Sequence, residues 1–178
     1  MVYRTKLPNT ASVASSQGDG RLFAPSAEKN SAPIINLIKR IAPKSGEALE
    51  IASGTGQHIV KLAFSLPNIS WSPSEVEGER LKSISAWIAS VNLLNIKQPL
   101  YLDATETGWA ESLPQSDFIL LVNLLHLISW NETENLISEL PKALKTNGIA
   151  LVYGPFLRNG QLTSEGDKRV HTSLTQAD

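Results

Sequence analysis

The stretch of sequence that decides the fold is Glu50-Ile-Ala-Ser-Gly-Thr-Gly-Gln-His58. It overlaps a short apolar run, Glu47–Ile51, which suits a buried strand, and it leads into a helical pattern over Gln57–Leu66. Gly54 and Gly56 allow the backbone to turn sharply and to approach a ligand without an intervening side chain. The helix that follows offers free N–H groups and the positive end of its dipole. The stretch therefore predicts a strand-to-helix turn that binds a ligand.

Strand and helix patterns alternate on both sides of this turn. Before it, Ser26 is placed to cap a helix that Pro43 stops. This alternation predicts an α/β fold with a Rossmann-like, doubly wound, mostly parallel sheet, whose ligands lie beyond the carboxyl ends of the strands. Further strands are expected at Ile69–Trp71, Gln98–Leu102, Phe118–Leu125 and Ile149–Tyr153, and further helices at Glu77–Val91 and at Glu132–Leu144, the latter ended by Asn147-Gly148.

Length and composition indicate one soluble globular domain. The 178 residues are 42% hydrophobic and 19% charged, with a net charge of −1, which is ordinary for such a domain. Residues 1–25 show no sustained periodicity and are predicted to form an arm or loop. We therefore assign the domain to residues 26–178.

The charge balance and the absence of cysteine exclude several classes of function. Near-neutral charge offers no basic footprint for nucleic acid, and no apolar run approaches the roughly 20 residues of a membrane span. There is no cysteine for a disulfide, zinc site or nucleophile, and the 3 histidines lack metal-ligand spacing. We therefore expect a cytoplasmic protein that binds small molecules, with no metal, membrane or nucleic acid partner. The scarcity of acids before residue 25 leaves an organelle-transit segment as a weaker alternative.

The acid at Glu50 indicates which ligand the turn binds. A dinucleotide fingerprint requires G-x-G-x-x-G, but Ile59 occupies the third glycine position. A carboxylate before the turn suits an ammonium-bearing ligand better than a pyrophosphate. The combination favours S-adenosylmethionine, whose methionine end is a zwitterion, and a glycine turn without a ligand is the alternative. The expected cofactor loop comprises Glu50, Ala52, Ser53, Gly54, Thr55, Gly56 and His58.

Carboxylates follow the second and third predicted strands. Glu75 closes the run Trp71-Ser-Pro-Ser-Glu75 and can accept hydrogen bonds from both hydroxyls of a ribose. A solvated loop glutamate is the alternative, and Glu77 is a weaker candidate for the same role. Asp103 is placed to bind the adenine amino group, with a helix N-cap or an Asx-turn as the alternative.

Polar and aromatic residues follow the fourth and fifth predicted strands, where a transferred methyl group should project. Asn123 is expected to contact the cofactor and to orient a nucleophile, and His126 to take its proton near neutral pH. A core histidine bonded to a backbone carbonyl is the alternative for His126. Tyr153 and Phe156 are expected to bind the substrate by stacking, with core packing of at least one of them as the alternative. Trp130 is expected either to line the site or to pack in the core.

Six separated blocks, in the same order, resemble the family of methyltransferase-like protein 26 and its bacterial relatives, which share a domain of unknown function numbered 938. The similarity runs from about residue 21 to the C-terminus. The blocks are Ala27-Glu-Lys-Asn30, Glu50–His58, Trp71–Glu75, Leu102-Asp103, Asn123-Leu-Leu-His126 and Tyr153-Gly-Pro-Phe156.

The resemblance implies a class I methyltransferase fold with S-adenosylmethionine as cofactor, and it implies no particular substrate. It places Glu28 and Asn30 on a helix that covers the cofactor pocket, and we take Asn30 as a candidate substrate-binding residue. It also implies roles for single residues: the methionine end is contacted by Glu50, Ala52, Gly54 and Gly56, the ribose by Glu75 and the adenine by Asp103.

Three departures from the family pattern affect these expectations. Glu75 replaces the usual Asp, which lengthens its reach by one methylene, and Lys29 replaces the usual Arg, which weakens a bidentate carboxylate contact. Only 22 residues follow Phe156, whereas the class I fold continues through a helix and two more strands. We therefore expect a C-terminally short domain that lacks the last two strands, with an exposed sheet edge open to homodimer formation.

The sequence thus predicts an S-adenosylmethionine-dependent methyltransferase of unknown acceptor, which transfers the methyl group to an N or O nucleophile. A small-molecule acceptor is favoured over a protein, and a protein over nucleic acid because of the near-neutral charge. The first alternative is a non-catalytic module that binds S-adenosylmethionine and regulates a partner. The second is a nicotinamide-dependent oxidoreductase, against which the missing third glycine and Glu50 argue.

Overall fold

The computed structural model describes residues 13–162, 165, 167–168 and 171–172. Strands and helices alternate along most of this range, with two turns of 3-10 helix at Trp109–Ser112 and Leu125–Leu127. The helices are α1 (Pro25–Ile41), α2 (Gln57–Ser65), α3 (Gly78–Ala89) and α4 (Trp130–Ala143). The strands are β1 (Ser15–Ser16), β2 (Leu22–Phe23), β3 (Gly46–Ile51), β4 (Ile69–Glu75), β5 (Leu100–Tyr101), β6 (Ser116–Val122) and β7 (Leu144–Tyr153).

Five of the described strands form one parallel sheet in the order β5-β4-β3-β6-β7. The chain builds this sheet outward from β3, first through β4 to β5 and then through β6 to β7. The strand order therefore reverses between β3 and β6, and this switch point is where ligands of doubly wound sheets bind. The Rossmann-like α/β fold predicted from the sequence is confirmed.

The core lies on both faces of the sheet because the central strands are apolar on both sides. In β6, Phe118 and Leu120 face one cluster and Ile119 and Leu121 face the other, as the period of two along a strand requires. The first cluster packs beneath α1, α2 and α3, and the second beneath α4. Within the described residues, no helix is long and apolar enough to cross a bilayer.

The start of α1 differs from the expectation that Ser26 caps it. The N-cap is Ala24, which has an extended backbone and no side-chain cap, and Pro25 is the first helical residue. Proline suits this position because its φ is fixed near the helical value and the first N–H needs no partner within the helix. The backbone N–H of Ala24 donates instead to Oε1 of Gln57 at 2.6 Å. The Gln57 side chain of α2 thus accepts a hydrogen bond at the start of α1, where no local side chain caps the helix.

Two further boundaries were wrong in the sequence interpretation. The run Trp71–Glu75 belongs to β4 itself rather than following it, because it pairs with β3 as far as Pro73 and with β5 as far as Glu75. Asn147-Gly148 does not end α4, which stops at Ala143. The pair lies inside β7, where the register slips between the partners Ser116↔Leu144 and Phe118↔Ile149. Asn147 adopts a φ of 64°, so the slip forms a turn within the strand.

The described part of the N-terminal arm is attached to α3. Residues 15–23 form the small antiparallel hairpin β1-β2. The N–H of Leu22 donates to Oγ of Ser83 at 2.8 Å, and Nε1 of Trp87 donates to the Leu22 carbonyl at 3.0 Å. The Arg21 guanidinium stacks 4.6 Å from the centre of the Trp87 ring. The arm prediction for residues 1–12 falls outside the described residues.

The edge of the sheet at β7 is open among the described strands. β7 pairs with β6 alone, and its side chains Ile149 and Tyr153 are 38% and 37% exposed. An apolar edge strand of this kind is a template for pairing with another strand. The homodimer stays a prediction.

Candidate functional site

A cavity opens at the carboxyl ends of the central strands, at the switch point of the sheet. It encloses about 1000 Å³, including its open mouth. The first turns of α1 cover it on one side. Its wall is formed by Ala24, Ser26, Ala27, Asn30, Ile51, Ala52, Ser53, Gly54, Thr55, His58, Glu75, Val76, Arg80, Leu102, Asp103, Ala104, Thr105, Val122, Asn123, Leu124, Leu127 and Ile128.

The glycine turn between β3 and α2 forms the floor of this cavity. Three of its residues have left-handed backbones, with φ of 54° at Ala52, 60° at Gly54 and 92° at Gly56. For alanine this conformation costs about 1–2 kcal/mol, so Ala52 occupies a position that suits glycine. The N–H of Ser53 donates to the Ser74 carbonyl at 2.8 Å, which ties the turn to β4. The sequence interpretation had singled out Gly54 and Gly56 for this turn, and Ala52 is the third left-handed residue.

Glu50 lies beneath the turn rather than in the cavity wall. Its side chain is 1% exposed, and neither carboxylate oxygen has a hydrogen-bond partner among the described residues. Burial, reinforced by the charge of Glu75 and partly opposed by the Ser53 hydroxyl, raises the pKa of Glu50 to about 8. A buried carboxyl without a partner is a costly group. The Glu50 carboxyl is therefore expected either to keep its proton or to pair with a cation.

Glu75 ends β4 and faces the cavity, buried rather than solvated. Gly54 donates its N–H to Oε2 at 2.9 Å, and Val76 donates its N–H to Oε1 at 2.8 Å. Burial nevertheless raises the pKa of Glu75 above its ordinary value. Each oxygen keeps lone pairs for a further donor in the cavity. Glu77, the weaker candidate, is instead paired with Arg80 at 2.9 Å.

Asp103 follows β5 and lines the cavity, where it also forms the local turn named as its alternative. Its Oδ1 accepts from the Thr105 N–H at 3.0 Å and from the Thr105 hydroxyl at 2.5 Å. This Asx-type contact holds the carboxylate in a fixed orientation. Contact with an adenine amino group stays a prediction.

The helix α1 contacts the glycine turn through polar side chains. Nε2 of His58 lies 2.7 Å from Oδ1 of Asn30, and since an amide oxygen only accepts, Nε2 carries the proton. Burial, with a contribution from the Lys61 cation, lowers the pKa of His58 to about 4. The imidazole is therefore neutral at physiological pH. Glu28 does not line the cavity; it pairs with Lys61 at 2.6 Å.

Of the two candidate residues after β6, Asn123 lines the cavity and His126 does not. Asn123 lines the cavity with a φ of 57°, and its N–H donates to the Tyr153 carbonyl at 2.8 Å. His126 lies in the following 3-10 turn and is not part of the cavity wall. Its Nδ1 is buried without a hydrogen-bond partner among the described residues, and burial lowers the pKa of His126. Proton transfer to His126 stays a prediction.

The aromatic candidates lie outside the cavity wall. Tyr153 is 37% exposed, Phe156 46% and Trp130 73%. The sequence interpretation did not single out several members of the wall, among them Val76, Arg80, Leu124, Leu127 and Ile128. Hydrophobic side chains after a strand give no signal that distinguishes cavity lining from core packing.

Comparison with a family model finds a match over most of the chain. The model described as "Protein of unknown function (DUF938)" matches residues 21–178. This confirms the part of the resemblance that rests on this family. The narrower assignment to the group of methyltransferase-like protein 26 stays a prediction.

Three solved structures of similar fold are named as methyltransferases. A putative O-methyltransferase from Nostoc punctiforme PCC 73102 superimposes with a TM-score of 0.66 at 21% identity, over 84% of this chain and 43% of that one. CalO1, a methyltransferase in calicheamicin biosynthesis, superimposes with a TM-score of 0.62 at 15% identity, over 83% of this chain and 42% of that one. The glycopeptide N-methyltransferase MtfA superimposes with a TM-score of 0.60 at 14% identity, over 69% of this chain and 52% of that one. These identities show the fold, and this chain spans about half or less of their lengths.

Proposed function

The chain belongs to the DUF938 family, and we propose that it binds S-adenosylmethionine in the cavity and transfers its methyl group to an N or O nucleophile of an acceptor molecule. The family description assigns no function. The solved structures of similar fold are named as N- and O-methyltransferases, which supports this class of reaction.

One observation carries the proposal: two buried acids flank a left-handed glycine turn at the switch point of the sheet. Glu50 lies under the turn with both carboxylate oxygens unpaired among the described residues. Glu75 faces the cavity from the adjacent strand. A ligand with a diol supplies hydroxyl donors to the remaining lone pairs of Glu75. An ammonium group held over the turn would be attracted by the charge of Glu50 across the turn.

The residues present fit S-adenosylmethionine. The turn from Ala52 to Gly56, above Glu50, would hold the methionine end, with the N-terminus of α2 facing its carboxylate. Glu75 would accept from the ribose hydroxyls, and Asp103 would accept from the adenine amino group. When bound, the cofactor supplies a methyl group on sulfonium: the acceptor's lone pair forms the new bond to carbon, the S–C bond breaks with its electron pair left on sulfur, and the acceptor's proton passes to water or to a base.

The chain's own contribution is positioning and exclusion of water. α1 covers the cavity through the Asn30–His58 contact at 2.7 Å and the Gln57–Ala24 contact at 2.6 Å. Closing the cavity in this way orders the reactants and removes competing water. Neutral His58 adds no positive charge beside a sulfonium.

The non-catalytic alternative is supported by one observation. The expected proton acceptor, His126, is not in the cavity wall, so an acceptor that must lose a proton has no assigned base there. A module that binds S-adenosylmethionine without transferring its methyl group requires no such base. Cofactor binding combined with no methyl transfer to any acceptor would favour this alternative.

The proposal is tested by calorimetric titration of the chain with S-adenosylmethionine and with its demethylated product. We expect Glu75→Ala to weaken binding by about 100-fold, because two hydrogen bonds to a charged group contribute roughly 3 kcal/mol or more together. Glu75→Asp keeps the carboxylate and is expected to lose less than about 10-fold.

Glu77→Ala is the matched control, since Glu77 lies two residues away and pairs with Arg80. We expect it to change the affinity by less than about 3-fold, as for a surface ion pair. Equal losses in Glu75→Ala and Glu77→Ala would contradict the ribose assignment. No binding by folded wild-type protein would overturn the proposed function.

A further inference from the structure

The cavity has two halves of different chemical character. The half assigned to the cofactor carries the charged side chains Glu75, Arg80 and Asp103. The other half is formed by the carboxyl end of β6 and the 3-10 turn that follows, and it carries no charged side chain. Its lining residues are Val122, Asn123, Leu124, Leu127 and Ile128.

The absence of charge extends beyond the wall into the two segments that meet here. Residues 122–130 and 149–157 contain no Asp, Glu, Lys or Arg, although 19% of the chain is charged. The segments are adjacent, because Val122 pairs with Tyr153 in the sheet and the N–H of Asn123 donates to the Tyr153 carbonyl at 2.8 Å.

Large apolar side chains in these same segments are exposed to solvent. Trp130 is 73% exposed, Leu157 52% and Phe156 46%. Exposed apolar side chains grouped on two adjacent segments, one of which lines the cavity, are typical of a surface that contacts an apolar ligand. Such a surface removes the apolar area of a hydrophobic molecule from water.

A charged acceptor would be held poorly in this half. It would lose its hydration on entry and would find no opposite charge in this half of the wall. His58, the histidine that lines the cavity, is neutral and already bonded to Asn30. Phosphate-bearing and strongly ionic acceptors are therefore disfavoured by the wall itself.

We infer that the methyl acceptor is a small, uncharged, hydrophobic molecule whose nucleophile reaches the cofactor through the uncharged half of the cavity. This inference rests on the proposed function, because it assigns the second half of the same cavity to the acceptor. Leu124, Leu127 and Ile128 are the side chains that contact the acceptor.

The inference is tested with three phenols that share one hydroxyl nucleophile. These are para-ethylphenol, which is neutral, tyramine, which adds an ammonium, and para-hydroxyphenylacetate, which adds a carboxylate. Their affinities for the full chain are measured with and without saturating S-adenosylmethionine, together with transfer of isotope-labelled methyl to each. We expect para-ethylphenol to bind at least about 10-fold tighter than either charged probe. Equal or tighter binding of a charged probe would overturn the inference.

A charge placed in the wall provides the second test. Leu127→Glu is expected to weaken para-ethylphenol binding by about 10-fold and to leave the affinity for S-adenosylmethionine within about 3-fold. Leu94→Glu is the matched control, because Leu94 is 98% exposed and lies outside the cavity wall. Equal effects of the two variants would contradict the assignment.

The two proposals fail in different ways. If S-adenosylmethionine does not bind, the proposed function is wrong whichever phenol is preferred. If it binds and the charged phenols are preferred, only the acceptor class is wrong. If Leu127→Glu does not fold, the preference of the wild-type chain still decides.

Discussion

Glu50→Gln is expected to raise the free energy of unfolding at pH 8 by a few kcal/mol and to flatten its dependence on pH. The folded-state pKa of Glu50 is about 8, against an ordinary value of 4.5. Between these values the folded chain holds a proton that the unfolded chain has lost. The free energy of unfolding therefore falls as pH rises, by at most about 1.4 kcal/mol per pH unit, and levels off above pH 8. Glutamine is neutral at every pH and removes this dependence.

The measurement is urea denaturation of both proteins at pH 5, 6.5 and 8. Glu77→Gln serves as the control, because Glu77 is a partly exposed acid close to the same turn. We expect the control to keep the wild-type slope between pH 5 and 8. A Glu50→Gln variant with that same slope would show that Glu50 is already ionised in the folded protein.

The same substitution is expected to weaken binding of S-adenosylmethionine by at least about 10-fold. An ammonium group bound above the turn favours the ionised form of Glu50, which then releases its proton, whereas a glutamine amide offers only a dipole. Stability and affinity should therefore change in opposite directions. This combination separates a carboxylate kept for its ligand from one whose loss merely disturbs the fold, since a disturbed fold would lower both quantities.

Gly56→Ala is expected to lower the free energy of unfolding by about 3 kcal/mol or more. Gly56 has a φ of 92°, and an added Cβ would lie 2.9 Å from the Ile84 Cα and 3.2 Å from Trp87 Cδ1. The left-handed backbone costs alanine about 1–2 kcal/mol. The clash adds about 1–3 kcal/mol, because the nearest atom belongs to the backbone of α3 and cannot rotate away.

Gly108→Ala separates these two contributions. Gly108 has a φ of 82°, yet an added Cβ would meet no atom within 4 Å. We expect a loss of only about 1–2 kcal/mol, since the backbone strain is present without the clash. Chemical denaturation of the two variants measures the difference. Similar losses in both would show that α3 does not constrain Gly56.

The order of the elements and the position of the site followed from the sequence. Hydrophobic periodicity is a local property, so the alternation of strands and helices could be predicted before any contact was known. Because parallel strands expose their carboxyl ends at one edge, residues after each strand were expected to meet there. Glu75, Asp103 and Asn123 all line the same cavity.

Boundaries were less predictable where pairing overrides local preference. Pro73 and two serines in the run Trp71–Glu75 favour a loop, yet the run is a strand because β3 and β5 flank it. The start of α1 likewise depends on Gln57, which lies 33 residues from Ala24. Contacts over such separations leave no periodic signal in the sequence.

The sequence by itself determined the Rossmann-like order of elements and the residue types that follow each strand. Only the tertiary structure decided which of those side chains face the cavity and what charge they carry. It places His58 in the wall beside Asn30 and leaves His126 outside. It buries Glu50 without a partner among the described residues and so raises the pKa of that carboxyl to about 8. The physical reason is that burial and charge depend on atoms brought together from distant parts of the chain, whereas periodicity depends on neighbours along it.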